Sequence, residues 1–280
     1  MAVTPFTISG FGDEIAADPA EQLAVLDGLG IRHLDLRGAW DRNVLDFTDA
    51  DVESLRGLLA ERGARVAMIA SPIGKSQIAG PAAYERERLQ TAIRLAQAFQ
   101  TPLIRVFSYY HEGIAPDACR AEVIARLRSW ATIAEDAGVI LLLENEGDLW
   151  GDTPDRCLDL FSSVNSRAFR FTLDTGNFAA LGIASFDDAY GKLKSWLHHI
   201  QIKDVQRATR TTVPAGQGDG QIALVLAAAR ADGYQGYLSL EPHLAVAGRA
   251  GGFSGAGLFG TAAEALRAIL ADLDAGVSGS

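Results

Sequence analysis

Four short hydrophobic runs in the second half of the chain carry an oxygen-donor side chain at or near their ends: Glu144 after 139–143, Asp174 after 169–173, Gln201 within 200–202 and Glu241 after 237–240. Each run has the length and composition of a largely buried β-strand. A carboxylate in that position loses its hydration unless a partner or a cation replaces it. Any one of the four, taken alone, also reads as a strand-end residue that caps a helix or pairs with a surface arginine. Three carboxylates and one amide together suit a single hard divalent cation.

The elements that must bring these ends together alternate along the whole chain. Strand patterns fall at 6–9, 33–36, 65–69, 103–107, 139–144, 169–174, 198–203 and 237–241; helical patterns fall at 19–29, 49–62, 82–99, 118–137, 153–163, 186–193, 221–231 and 261–273. Asp18 before Pro19 and Thr153 before Pro154 are helix-start signals, and Gly30, Gly63 and Gly138 are stop signals. Eight strand–helix pairs in 280 residues match a (β/α)8 TIM barrel, read as a single domain over 1–280. The rival is a doubly wound sheet, which gathers its ligand contacts at one switch point behind a Gly-rich loop. Gly10-Phe11-Gly12-Asp13-Glu14 is not such a loop, and polar residues are spread over at least four strand ends. The spread favours the barrel. Two Gly-rich stretches, 207–220 and 243–260, follow strands and so overhang the catalytic face of a barrel. They read as mobile substrate-covering loops, with a phosphate cradle as the alternative.

The composition, 48% hydrophobic, is that of a chain able to bury one large core. No 18-residue apolar run predicts a membrane span. The N-terminus lacks a basic stretch followed by an apolar core, so a cytoplasmic protein is expected. Cys119 and Cys157 have no CxxC spacing and are expected to be reduced. A net charge of −10 argues against a nucleic-acid partner and leaves a small molecule as the expected one.

Five segments resemble a known family: Leu142-Leu143-Glu144-Asn145-Glu146, Leu173-Asp174-Thr175-Gly176-Asn177-Phe178, His199-Ile200-Gln201-Ile202-Lys203-Asp204, Val213-Pro214-Ala215-Gly216-Gln217-Gly218-Asp219-Gly220 and Ser239-Leu240-Glu241-Pro242-His243. They are similar to the xylose isomerase-like TIM barrels, and within them to the sugar (phosphate) isomerase/epimerase branch with its ketose 3-epimerases, hydroxypyruvate isomerase and inosose isomerases. The resemblance covers essentially the whole chain. It places the metal ligands on Glu144, Asp174, Gln201 and Glu241. Most members have histidine where this chain has Gln201, a hydroxypyruvate isomerase-like subset has glutamine, and an amide oxygen favours harder ions. The implied cofactor is therefore Mn²⁺ or Mg²⁺. His199, on the same face of its strand, is the alternative fourth ligand.

What the resemblance implies is a divalent-metal-dependent sugar isomerase or epimerase acting on a sugar or keto-sugar. Glu144 and Glu241 would be its catalytic residues, moving a proton next to a carbonyl through a metal-stabilised enediolate. Two bases give epimerisation; one gives aldose–ketose isomerisation. Substrate-binding roles fall on Arg207, at the place of a 3-epimerase arginine, on His243, on Asn177, where the epimerases often have histidine, and on Lys203, which is expected to pair with Glu144 or Glu241. Glu14, Arg37 and Lys75 are further pocket candidates, and Tyr109, Tyr110, Trp150 and Phe253 candidate apolar walls. Trp130 and Trp196 read as helix-to-barrel packing. Two alternatives remain open: a metal-dependent lyase that cleaves 3-keto-glycosides by the same proton abstraction, and a non-catalytic barrel subunit, which would have lost a base or a ligand. A DNA-repair endonuclease of this fold resembles a histidine-rich trinuclear zinc site, and five histidines with an acidic balance argue against it. Family members are often dimers or tetramers, so a homo-oligomer is compatible with the resemblance.

Overall fold

The apolar runs pair in parallel register, and the last returns to the first. In the structure, a computed structural model that describes residues 6–248 and 251–278, the barrel strands are β1 (Thr7–Phe11), β2 (His33–Leu36), β3 (Arg65–Ile69), β4 (Leu103–Val106), β5 (Ile140–Glu144), β6 (Phe169–Asp174), β7 (Leu197–Ile202) and β8 (Tyr237–Leu240). Each pairs with its successor, and β8 closes on β1 with Thr7 opposite Tyr237 and Gly10 opposite Leu240. This is a closed (β/α)8 barrel.

Helices over Pro19–Gly28, Asp49–Arg62, Ala82–Ala98, Pro116–Ala137, Pro154–Val164, Ile222–Ala231 and Gly255–Ser278 run between or after the strands. Their ends follow local chemistry. Asp18 accepts the Ala20 N–H at 3.0 Å, Thr153 accepts that of Arg156, and Thr48 with Asp51 forms a reciprocal cap. Gly63 and Gly138 end their helices in the left-handed conformation at φ 59° and 70°. Trp130 is buried against Tyr109, and Trp196 stacks on Phe161 with centroids 5.8 Å apart, both as helix-to-barrel packing.

Phe11, Met68, Leu103 and Leu142 pack together in a small cluster separate from the main core. Polar side chains are buried on the other barrel strands β2, β7 and β8: Ser239 Oγ donates to Asp35 Oδ2 at 2.5 Å, and His199 lies with its ring centroid 6.0 Å from that of Tyr237.

Three segments depart from the sequence reading. The last helix begins at Gly255, six residues before the expected start, despite its glycines; Phe259, on its early turns, is fully buried against Gly10, where an added Cβ would come 2.7 Å from the ring. Tertiary burial overrides helix propensity there. The stretch expected as a helix over 186–193 is a π-helical turn, Ser185–Tyr190, running into Gly191–Leu193. The overhanging stretches carry two hairpins, Asp204–Gln206 with Thr211–Val213 and Val246–Gly248 with Gly251–Phe253. The glycine segment after the first is tied down rather than mobile. Asp204 accepts the N–H groups of Gly216, Gly218 and Gly220 at 2.8, 3.0 and 2.9 Å. Those donors are spent on a carboxylate, so the backbone of Gly216, Gly218 and Gly220 does not cradle a phosphate.

Cys119 and Cys157 are free and buried. Among the described residues no helix is long and apolar enough to cross a membrane.

Candidate active site

Strand periodicity aims alternate side chains inward, and the inward residues at the C-terminal ends of β5, β6, β7 and β8 converge. Glu144 closes β5 and Asp174 closes β6. Asp174 also caps the short helix Thr175–Ala180, its Oδ1 accepting the Asn177 N–H at 2.7 Å. The helix-capping reading holds through Oδ1, which leaves Oδ2 turned to Lys203 at 2.7 Å and available to the cluster. Gln201 lies on β7, and Glu241 follows β8 directly. All four are buried. Glu144, Asp174 and Glu241 each present an oxygen within 4.8 Å of the others. His199 is not part of this group.

Cations enter the cluster from three sides. Lys203 Nζ lies 2.7 Å from Asp174 Oδ2 and 3.5 Å from Glu241 Oε2. Arg105 Nη1 reaches Glu144 Oε2 at 3.0 Å and Glu241 Oε1 at 3.6 Å. Arg37 bridges Glu241 Oε1 at 2.7 Å and Asp13 Oδ2 at 2.6 Å. His243 Nε2 stands 3.0 Å from Glu14 Oε1 and 3.5 Å from Glu241 Oε1.

These surroundings split the acids. Burial pushes the Glu144 carboxyl up to about 7, against the pull of Arg105 and with added repulsion from Glu241 and Asp174. Burial also raises Asp174, opposed by Lys203. Burial works on Glu241 in the same sense, but Lys203, His243 and Arg105 outweigh it and hold that carboxyl well below its ordinary range. His243 is raised: burial lowers it, but its hydrogen bonds towards Glu14 and Glu241 prevail.

The donor set fits a hard divalent cation. Gln201 Oε1 is buried without a hydrogen-bond partner among the described residues, an orphan that a cation would satisfy. Five carboxyl groups, Asp13, Glu14, Glu144, Asp174 and Glu241, face only three permanent cations, Arg37, Arg105 and Lys203, so the acids outnumber the cations that the chain itself supplies. Glu144, Asp174, Gln201 and Glu241 are the residues that would hold the ion.

Above the cluster opens a cavity of about 680 Å³, lined by Glu144, Glu241, Asn177, Lys203, Arg207 and His243 among others. That size lies within the range of small-molecule sites. Asn177 donates from Nδ2 to Glu144 Oε1 at 3.1 Å, so it orients that carboxylate. Lys203 takes Asp174 as its nearest partner and also reaches Glu241, one of the two partners the sequence suggested, at 3.5 Å. Arg37 and Lys75 line the cavity, Lys75 paired with Glu146 at 2.8 Å. Glu14 stands beside it, holding His243. The expected apolar walls lie elsewhere. Tyr109 and Trp150 are buried, Trp150 donating to the Pro116 carbonyl at 2.9 Å; Tyr110 is bridged to Gln77 and Leu149; Phe253 lines a neighbouring cleft.

Arg105, Asp13 and Asn145 escaped the sequence reading. Arg105 left a legible signal, a lone charge inside the apolar run Leu103-Ile104-Arg105-Val106. Asn145 exchanges two hydrogen bonds with the Asp174 backbone, at 2.9 and 2.8 Å, and so fixes the position of β6 relative to β5.

Comparison with solved structures gives the same fold at low identity. A xylose isomerase-like TIM barrel protein from Mycobacterium smegmatis in complex with magnesium aligns at TM-score 0.72 and 20% identity, over 95% of this chain and 97% of its own. A D-tagatose 3-epimerase-like protein aligns at 0.75 and 17%, over 97% and 100%. The probable 3-DHS dehydratase AsbF from Bacillus anthracis aligns at 0.76 and 17%, over 94% and 99%. No curated protein matches in sequence. The profile of one family matches residues 23–269, and by that match the chain belongs to the xylose isomerase-like TIM barrel family.

Proposed function

We propose that this protein is a divalent-metal-dependent sugar isomerase or epimerase that moves a proton next to a carbonyl, with Glu144 and Glu241 handling the proton. The observation that carries this reading is the convergence of Glu144, Asp174 and Glu241 within 4.8 Å beneath a cavity of small-molecule size, with Gln201 Oε1 unsatisfied beside them. Glu144, Asp174, Gln201 and Glu241 would hold the metal, Mg²⁺ or Mn²⁺ given an all-oxygen donor set. Bound there, it would supply Lewis-acid polarisation of the substrate oxygens.

The remaining work falls to the chain itself. Arg37 and Arg105 engage Glu241 Oε1, leaving Oε2 towards Lys203 and the cavity; Asn177 and Arg105 fix Glu144. Two carboxylates of different proton affinity on one substrate can take a proton and return one, which is the requirement for epimerisation. Arg207, His243, Asn177 and Lys203 line the cavity and would contact substrate oxygens.

A second reading rests on His243, whose ring nitrogen stands 3.5 Å from Glu241 Oε1. A proton donor beside the base is what expulsion of a leaving group requires, so a lyase acting on 3-keto-glycosides uses the same site. Fold relatives described as epimerases and as a probable dehydratase support proton chemistry of this kind.

The test is proton NMR in D₂O with Mg²⁺-loaded protein and a panel of ketohexoses, inososes, hydroxypyruvate and 3-keto-glycosides. Deuterium entering a carbon next to a carbonyl, abolished by EDTA and by Glu144→Gln or Glu241→Gln, is the expected result. No exchange across the panel with metal demonstrably bound would reject the reading for those substrates and favour a non-catalytic barrel.

A further inference from the structure

Six lysines and arginines line the cavity, and they fall into two sets. Arg37, Arg105, Lys203 and Lys75 are each paired with a carboxylate, namely Glu241, Glu144, Asp174 and Glu146. Arg207 and Arg210 are not: among the described residues neither guanidinium has a hydrogen bond or an ion pair. Two unpaired arginines at one cavity offer guanidinium donors that no carboxylate of the chain occupies, and an anionic group of a ligand would satisfy them.

Their placement is built rather than incidental. Both sit in the turn of the hairpin Asp204–Gln206 with Thr211–Val213, whose register is fixed from Asp204 opposite Val213 to Gln206 opposite Thr211. The Arg207 N–H donates to Asp219 Oδ2 at 2.8 Å, and Thr212 Oγ1 donates to the His243 carbonyl at 2.7 Å, which joins the hairpin to the site. Arg207 Nη1 packs over Gly182, where an added Cβ would approach to 2.8 Å. Arg210 stands at φ 55°, a left-handed position that glycine or asparagine fills more cheaply, at a cost of about 1 kcal/mol for another side chain.

We propose that Arg207 and Arg210 form an anion subsite at the mouth of the cavity, so that the substrate is an anionic sugar derivative with a carboxylate or phosphate on the end remote from the reacting carbon. This rests on the function proposed above for the same cavity. Guanidinium forks bind either anion bidentately, so the two share one recognition chemistry.

The experiment measures calorimetric binding of fructose, fructose 6-phosphate and fructuronate, whose carboxylate stands at C6 in the place of the phosphate, to Mg²⁺-loaded protein, alongside deuterium exchange for the same three. It compares the wild type with Arg207→Met, Arg210→Met, the double variant and Arg207→Lys. Loss of a charged hydrogen bond typically weakens binding about 10- to 150-fold. The anionic probe is expected to bind at least about 10-fold tighter than fructose, to lose that advantage in the double variant and to keep part of it in Arg207→Lys. Tightness confined to one anion identifies phosphate or carboxylate as the source. Equal binding of all three probes, or an anion preference untouched in the double variant, overturns the subsite whatever the exchange shows. Anion preference without exchange on any probe keeps the subsite and rejects the proposed activity for those substrates. Both side chains are exposed, and circular dichroism of each variant reports whether the fold is kept.

Discussion

Lys203 Nζ lies 2.7 Å from Asp174 Oδ2, so a buried lysine of the chain itself neutralises a carboxylate that belongs to the candidate metal-holding group. Its ammonium also faces Glu241 at 3.5 Å, and opposing burial it is kept charged by both. Lysine and a divalent cation therefore draw on the same carboxylates.

Lys203→Met follows directly from that relationship. Without metal, the substitution leaves buried carboxylates uncompensated, a change that typically costs about 3–5 kcal/mol. Added Mn²⁺ should restore more stability to the variant than it adds to the wild type. Thermal unfolding with and without Mn²⁺ reads this; equal metal-induced rises in Tm would show that Lys203 does not compete.

The two glutamates should separate in stability although the proposed function requires both for turnover. Glu144→Gln and Glu241→Gln are each expected to lower the exchange rate by about 10²- to 10⁴-fold, the usual worth of a positioned acid or base. In metal-free protein, Glu144→Gln should lower Tm only modestly, because burial pushes that carboxyl up to about 7 and the amide keeps one acceptor oxygen for Arg105 or Asn177. Glu241→Gln removes one partner each from Arg37, Arg105 and Lys203 and should lower Tm clearly. Matching Tm losses would contradict this assignment of charge.

The hairpin and glycine segment over the site hang on one carboxylate. Asp204 is buried and accepts three glycine N–H groups besides that of Val205. Asp204→Asn replaces an acceptor oxygen by a donor and should cost about 2–3 kcal/mol by leaving buried N–H groups unmatched. Hydrogen exchange of 216–220 should rise well above that of β7. Unchanged protection there would mean the segment is held by other contacts.

The barrel was legible because its signals are local: apolar runs at strand length, caps at Asp18 and Thr153, and stops at Gly63 and Gly138. The four strand-end donors were legible for the same reason, since a carboxylate closing a buried run stands out. What stayed hidden depends on partners far apart in the chain. The run of glycines at 216–220 suggests freedom until Asp204 is seen to bind it, and Arg105 looks like an oddity of β4 until Glu144 meets it 39 residues on. Phe259 gave no sign that it would pack on Gly10 and extend the last helix through three glycines. Lys203 was read as pairing within the site, but choosing Asp174 over Glu144 needs the curvature of the barrel.

Asp35 gives the fold a pH dependence of its own. It is fully buried, accepts from Ser239 Oγ at Oδ2, and has no partner at Oδ1 among the described residues; burial pushes its carboxyl up to about 6, against hydrogen bonding that lowers it. The raised value fixes the sign. Below about pH 4 the group is protonated in both folded and unfolded chains and contributes nothing. As pH rises towards 6 the unfolded chain ionises while the folded one keeps its proton, so stability falls, and above that value the full penalty of about 3 kcal/mol applies. Asp35→Asn removes the ionisation. With EDTA present, urea unfolding should show the variant gaining on the wild type as pH is raised from about 4 to about 8, by up to about 3 kcal/mol. Stability curves that stay parallel across that range would mean Asp35 ionises in the barrel as easily as in water, and that the hydrogen bond from Ser239 is made to a carboxylate that has lost no solvation.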